Sequence, residues 1–128
     1  MKKWIMAILT LLLLTGCAAR ETPGYRRISM EEAMAAMESE RDFLILDVRT
    51  PEEFAAGHIP GAINIANETI GSEAIPELPD LDQLILVYCR SGNRSKQASE
   101  KLAALGYTNI AEFGGINTWP GEIVTGTE

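Results

Sequence analysis

Leu84-Ile85-Leu86-Val87-Tyr88-Cys89-Arg90-Ser91-Gly92-Asn93-Arg94-Ser95 joins an unbroken apolar run to a basic, glycine-containing loop. Its first five residues are apolar without alternation, which suits a strand buried on both faces and so a parallel sheet covered by helices. A helix is expected from Ser95 to Leu105, with Ala98, Leu102 and Leu105 on one face and Gly106 past its end. In open sheets built from such strand–helix units, ligands bind beyond the carboxyl ends of the strands. The loop from Cys89 to Ser95 is therefore where chemistry is to be sought.

A tight loop feeding a helix turns several backbone N–H groups toward one centre. The result is an anion cradle reinforced by the helix N-terminus. Gly92 can take the positive φ such a turn demands. Arg90, Arg94 and Lys96 lie close together, and no acid falls between Asp82 and Glu100, so an acidic chain keeps one basic island around Cys89. A thiol in that field favours the nucleophilic thiolate. The residues alone leave two other readings open: an inert thiol buried at a strand end, or an anion-binding loop without catalysis.

The flanks repeat the strand–helix alternation. Ser29 with Glu32 forms a capping box for a helix through about Glu38, with Ala33, Met34 and Met37 turned inward. Phe43 to Val48 reads as a second buried strand, ending around Asp47. Thr50, Pro51 and Glu53 supply N-cap, N1 and N3 of a short helix ending near Gly57. A turn at Ile59–Ala62 precedes a short strand at Ile63–Ile65, and Pro76 and Pro79 break any long helix before Leu84. Downstream, Tyr107–Phe113 offers a last strand, Gly114-Gly115 a turn, and Ile116–Trp119 a short helix. The fold class expected is α/β, a mainly parallel central sheet with helices on both faces.

Leu46-Asp47-Val48-Arg49-Thr50-Pro51-Glu52-Glu53-Phe54 and Gly57-His58-Ile59-Pro60-Gly61-Ala62-Ile63-Asn64-Ile65 resemble the first signature of rhodanese-like domains. Cys89 to Ser95 resembles their active-site loop, and Gly106-Tyr107 with Gly114-Gly115-Ile116 and Trp119 their closing segment. The resemblance runs from Ser29 to Trp119, and the domain is expected over residues 28–128. It implies a sulfurtransferase in which Cys89 accepts sulfane sulfur as a persulfide and passes it to cyanide or a thiol. The backbone of Arg90, Ser91, Gly92, Asn93, Arg94 and Ser95 would then hold the terminal sulfur, and Arg90 and Arg94 the anionic donor. No metal or organic cofactor is implied. Cys89 to Arg94 is Cys-x₄-Arg, whereas the phosphatases and arsenate reductases of this fold use Cys-x₅-Arg, which disfavours oxyanion hydrolysis. A carrier that holds sulfur for a protein acceptor without turnover is the alternative.

Three further polar residues invite a catalytic reading. Asp47 and Arg49 end the first long strand, where ion pairs and loop hydrogen bonds, Arg49 with Glu53 among them, are the expected role. His58 is the single histidine and is expected to anchor its turn, since an ionised thiol needs no strong base. Phe113 and Trp119 are expected in the core or the pocket wall.

The amino terminus is a different kind of segment. Lys2 and Lys3 precede an apolar run from Trp4 to Leu14 broken by Thr10. Eleven helical residues span about 16 Å, half a hydrocarbon core, so the run reads as a secretory leader and not as a membrane span. Leu14-Thr15-Gly16-Cys17 resembles the lipobox of bacterial lipoproteins. That resemblance implies cleavage after residue 16, a diacylglycerol on Cys17, and an extracytoplasmic domain held to a membrane by lipid. Residues 17–27 would be the lipidated terminus and tether.

Charge and composition narrow the classes further. The 128 residues carry a net charge of −7 and 46% hydrophobic residues, suited to one globular domain. Without Lys2 and Lys3, nine basic residues face eighteen acidic ones, a charge of −9 that argues against nucleic acid and against attraction to anionic lipid. Two cysteines and one histidine exclude a disulfide scaffold and a Cys₄ zinc site.

Overall fold

The apolar strand that ends at Cys89 is the most buried element of the computed structural model, which describes residues 24–127. We label it β4 (Leu84–Cys89), and all six of its residues are buried. The others are β1 (Arg26–Arg27), β2 (Phe43–Asp47), β3 (Ala62–Asn64) and β5 (Ile110–Gly115). They form one sheet in the order β1-β5-β4-β2-β3, each neighbouring pair parallel. The long apolar strands thus occupy the centre, where both faces are covered.

Helices α1 (Met30–Ser39), α2 (Pro51–Ala56) and α3 (Asn93–Ala104) connect the strands. The capping box expected of Ser29 with Glu32 forms on α1, and Thr50 and Glu53, expected as N-cap and N3, form another on α2. The pleat of the sheet separates two cores. Leu46, Val48, Ile85, Val87 and Ile110 pack with Ala98 and Leu102 of α3. Ile45, Leu86, Tyr88, Ala111 and Phe113 pack with Ala33 of α1 and Phe54 of α2. Each fully buried Leu or Ile contributes about 1.5–3 kcal/mol, so β4, feeding both cores, anchors the loop at its carboxyl end.

Four boundaries differ from expectation by two residues or more. Tyr25 is buried and Arg26–Arg27 pair with β5, so the fold begins inside the segment read as tether. A two-residue edge strand of exposed arginines has no apolar pattern to betray it. Helix α3 starts at Asn93 and not Ser95, because Gly92 takes the N-cap with φ 116°. The last strand starts at Ile110, later than Tyr107. Gly114-Gly115 is a bulge at the end of β5 and not a turn: Val87 pairs with Glu112 but Cys89 pairs with Gly115.

Candidate active site

The loop is built by three local constraints. β4 delivers Cys89, Gly92 turns the backbone left-handed, and α3 begins at once. Gly115 lets β5 pass against the loop, for a Cβ there would collide with the Arg90 carbonyl. On the other side, Asn117 N–H donates to that same carbonyl at 3.1 Å. Arg90, Ser91 and Asn93 are exposed, Arg94 is half-buried, and Gly92 and Ser95 are buried.

Cys89 is buried, and its sulfur meets the loop it starts. Gly92 N–H donates to Sγ at 3.0 Å, and Ser95 Oγ lies 3.5 Å away. Burial pushes the Cys89 thiol up, but the hydrogen bond with the Ser95 hydroxyl and those from the N–H groups of Ser95, Gly92 and Ser91 outweigh it and leave the thiol below its ordinary value. Gly92 provides no side-chain cap, so the N-terminus of α3 keeps its N–H groups for the sulfur.

The basic island is less basic in three dimensions than in sequence. Arg94 Nη1 and Nη2 donate to Glu53 Oε1 and Oε2 at 2.7 and 3.2 Å. Arg94 holds the Glu53 carboxyl at about 2, and burial only partly opposes it. Loop hydrogen bonds, not free arginines, therefore depress the thiol. Glu112 is a second intruder: fully buried, it accepts from Ser95 Oγ at 2.6 Å, from Gly114 N–H at 2.9 Å and from Arg27 Nε at 3.1 Å. No local pattern marks this carboxylate, which stands seventeen residues beyond Ser95, in a strand.

The neighbouring polar residues bind one another. Arg49 pairs with Asp47 at 2.6 Å and donates to Gly57 O at 2.7 Å, not to Glu53 as the sequence suggested. Both are buried, and the Asp47 carboxylate helps hold the Arg49 guanidinium above its ordinary value against the opposing effect of burial. Asn64 Nδ2 ties the same corner by donating to Asp47 O and Arg49 O. His58 is fully buried, stacked on Phe54 at 3.7 Å, with Nδ1 2.8 Å from Phe54 O. A carbonyl only accepts, so Nδ1 carries the proton, and Nε2 has no partner. Phe113 is buried beside Tyr88, and Trp119 is half-buried.

A cleft of about 370 Å³ opens beside the loop, lined by Arg49, Glu53, Gly57, Arg90, Asn117 and Ile123 among others. A larger one of about 440 Å³, around Ile65, Thr69 and residues 71–77, contains no residue of the Cys89 loop. Cys17 and residues 1–16, read from the sequence as a leader, lie outside the described residues.

The rhodanese-like domain pattern matches residues 29–122. The chain belongs to the rhodanese-like family. It is 35% identical over 107 residues to the thiosulfate sulfurtransferase GlpE of Pseudomonas entomophila, covering 80% of this chain and 94% of that protein. It is 38% identical over 71 residues to the thiosulfate sulfurtransferase PspE of Escherichia coli, covering 56% of this chain and 68% of that one. Among solved structures, an E. coli rhodanese with anions superimposes with a TM-score of 0.60 at 34% identity, covering 66% of this chain and 99% of that one. The human single-domain sulfurtransferase TSTD1 gives 0.63 at 30% identity, with 73% and 92% covered. These relatives make the chain a sulfurtransferase-type enzyme of the rhodanese-like family on the expected α/β fold.

Proposed function

We propose that this chain moves sulfane sulfur from a small anionic donor of the thiosulfate class to a thiol or cyanide, with Cys89 as the carrier. The Cys89 thiolate attacks the outer sulfur of thiosulfate. The bond between the two donor sulfurs breaks, sulfite leaves with the bonding pair, and Cys89 holds a persulfide. An acceptor thiolate or cyanide then takes the outer sulfur and returns Cys89 as thiolate. The observation that carries this reading is the Gly92 N–H aimed at Sγ from 3.0 Å, at a helix N-terminus without a side-chain cap. Such N–H groups favour negative charge on the thiolate first and on the outer persulfide sulfur afterwards. Arg90, exposed on the cleft wall, meets the donor's anionic end, while Arg94 stays tied to Glu53.

Mass spectrometry of the intact protein after thiosulfate treatment tests the reading. A gain of one sulfur that cyanide or a thiol discharges, absent in Cys89→Ser, is the expected result. Robust phosphate-ester hydrolysis without a persulfide would overturn it. Loading followed by steady turnover marks an enzyme, and loading without turnover marks a carrier serving a protein acceptor.

We also propose that residues 1–16 are a leader and that Cys17 carries lipid, placing residues 28–128 outside the cytoplasm on a bacterial membrane. The support is the Lys2-Lys3 start, the apolar run and Leu14-Thr15-Gly16-Cys17. Labelling with a radioactive fatty acid should mark the wild type and spare Cys17→Ser. No label on the wild type, or label that survives the substitution, sinks the proposal.

A further inference from the structure

Two carboxylates of the described residues are fully buried at the sheet's carboxyl edge, Asp47 and Glu112. Asp47 is held by Arg49 within its own corner, whereas Glu112 lies under the sulfur loop. The link between Glu112 and the sulfur is Ser95, itself fully buried. Around Ser95 Oγ stand Glu112 Oε2 at 2.6 Å, Gly92 O at 3.0 Å, Gly114 O at 3.3 Å and Cys89 Sγ at 3.5 Å. A hydroxyl has one proton to donate and two lone pairs to accept with. Of the four neighbours the carboxylate is nearest, and a charge-assisted bond is the strongest on offer.

We propose that Glu112 is a positioning residue for Cys89 that acts through Ser95: its carboxylate takes the single hydroxyl proton, so Ser95 turns a lone pair to the sulfur. Ser95 then accepts from the S–H and, with its proton held by Glu112, stabilises the thiolate less than a hydroxyl free to donate would. To stabilise a thiolate instead, Ser95 must withdraw its proton from a buried carboxylate, which costs a hydrogen bond. Glu112 thus raises the pH at which Cys89 becomes a nucleophile above what the loop N–H groups and a Ser95 hydroxyl free to donate would set. The deprotonation itself is ordinary, the thiol proton passing to water or buffer.

The charged surroundings are few. Glu112 meets Arg27 from β1, Ser95 from α3 and the Gly114 N–H from its own strand. Its register partner on β4 is Val87, and α1 packs on the other face with Ala111 and Phe113. Cys89 meets Ser95 from α3 and feels Arg94, which Glu53 of α2 holds.

The inference rests on Cys89 being the nucleophile, but its test needs no sulfur donor. The rate of alkylation by iodoacetamide is followed against pH in the full chain, read on the Cys89 peptide by mass spectrometry. Glu112→Gln should move the midpoint down by about one pH unit and speed alkylation near neutrality about tenfold. The same substitution in a Ser95→Ala background should shift the midpoint less than half as far. Equal shifts in both backgrounds mean charge acting directly through space, and they overturn the proposal, as does no shift or an upward one. Arg27→Gln offers a second route, since Arg27 is 57% exposed and tolerant of change. It strips the carboxylate of its cation and should move the midpoint up, an effect that vanishes with Ser95→Ala; a downward or absent shift overturns the proposal. A shifted profile in a protein that thiosulfate never loads would sink the sulfur-transfer reading and leave this inference standing. Loading with an unmoved profile does the reverse.

Discussion

Two strands of the same sheet end in the same way and do different things. β2 leads through Val48 and Arg49 into α2, and β4 leads through Cys89 to Ser91 into α3. Both junctions sit at the carboxyl edge, where a parallel sheet offers its ligand site. At α2 the free N–H groups are filled from within: Thr50 accepts from Glu53 N–H, and Glu53 reaches back to the Thr50 backbone. At α3 the N-cap is glycine and there is no such side chain. One junction satisfies its own helix terminus, and the other leaves it to the sulfur. Capping chemistry, not strand position, separates structure from site.

Removing the sulfur is the severest change at the α3 junction. Cys89→Ser should lower sulfur transfer by on the order of a thousandfold or more, since a hydroxyl in the same cradle is not ionised. Retained transfer would move the nucleophile elsewhere. Gly115→Ala should come next, because the added methyl meets backbone at Arg90 and cannot be relieved by a side-chain rotation. We expect about 2–4 kcal/mol of lost stability in denaturant and at least about tenfold less sulfur loading. Unchanged loading would mean the loop does not depend on that close approach.

The α2 junction was legible in the sequence for a physical reason. Thr50, Pro51 and Glu53 act on residues three apart, so their spacing is the mechanism. The same holds for the cradle, where Cys89, Gly92 and Ser95 follow one another at the end of β4, the N-cap and the first turn of α3. Partners from other elements carry no such spacing. Glu53 reaches Arg94 across forty-one residues, and Glu112 reaches Ser95 across seventeen. Both correct the basic island read along the chain, for charge counted in sequence ignores what the sheet folds beside it. β1 was hidden for a related reason: an edge strand of two exposed arginines is fixed by pairing with β5 and not by any pattern of its own.

The capped junction should respond in stability and little in chemistry. Thr50→Ala removes the side-chain acceptor from Glu53 N–H and should cost about 1 kcal/mol in denaturant melts. Sulfur transfer should stay within about twofold of wild type. A tenfold loss of transfer with unchanged stability would mean that α2 tunes the site and would dissolve the contrast drawn between the two junctions.

The smallest effect joins the two junctions, because Glu53 caps α2 and also binds Arg94 of α3. Arg94 is the main cause that lowers the Glu53 carboxyl to about 2 from 4.5. A carboxyl depressed on folding binds fewer protons in the native state than in the unfolded one, so stability rises with pH through that interval. Its contribution is complete above about pH 4.5 and is lost as pH falls toward about 2. The pair is partly exposed, at 31% and 29%, so solvent screening keeps the gain below about 1 kcal/mol. Melting wild type and Glu53→Gln across that interval should give curves that converge in acid and separate by pH 5, and they should separate less in high salt. Curves that run parallel throughout would mean Arg94 does not depend on Glu53, leaving the α3 arginine free to face the donor as the sequence alone suggested.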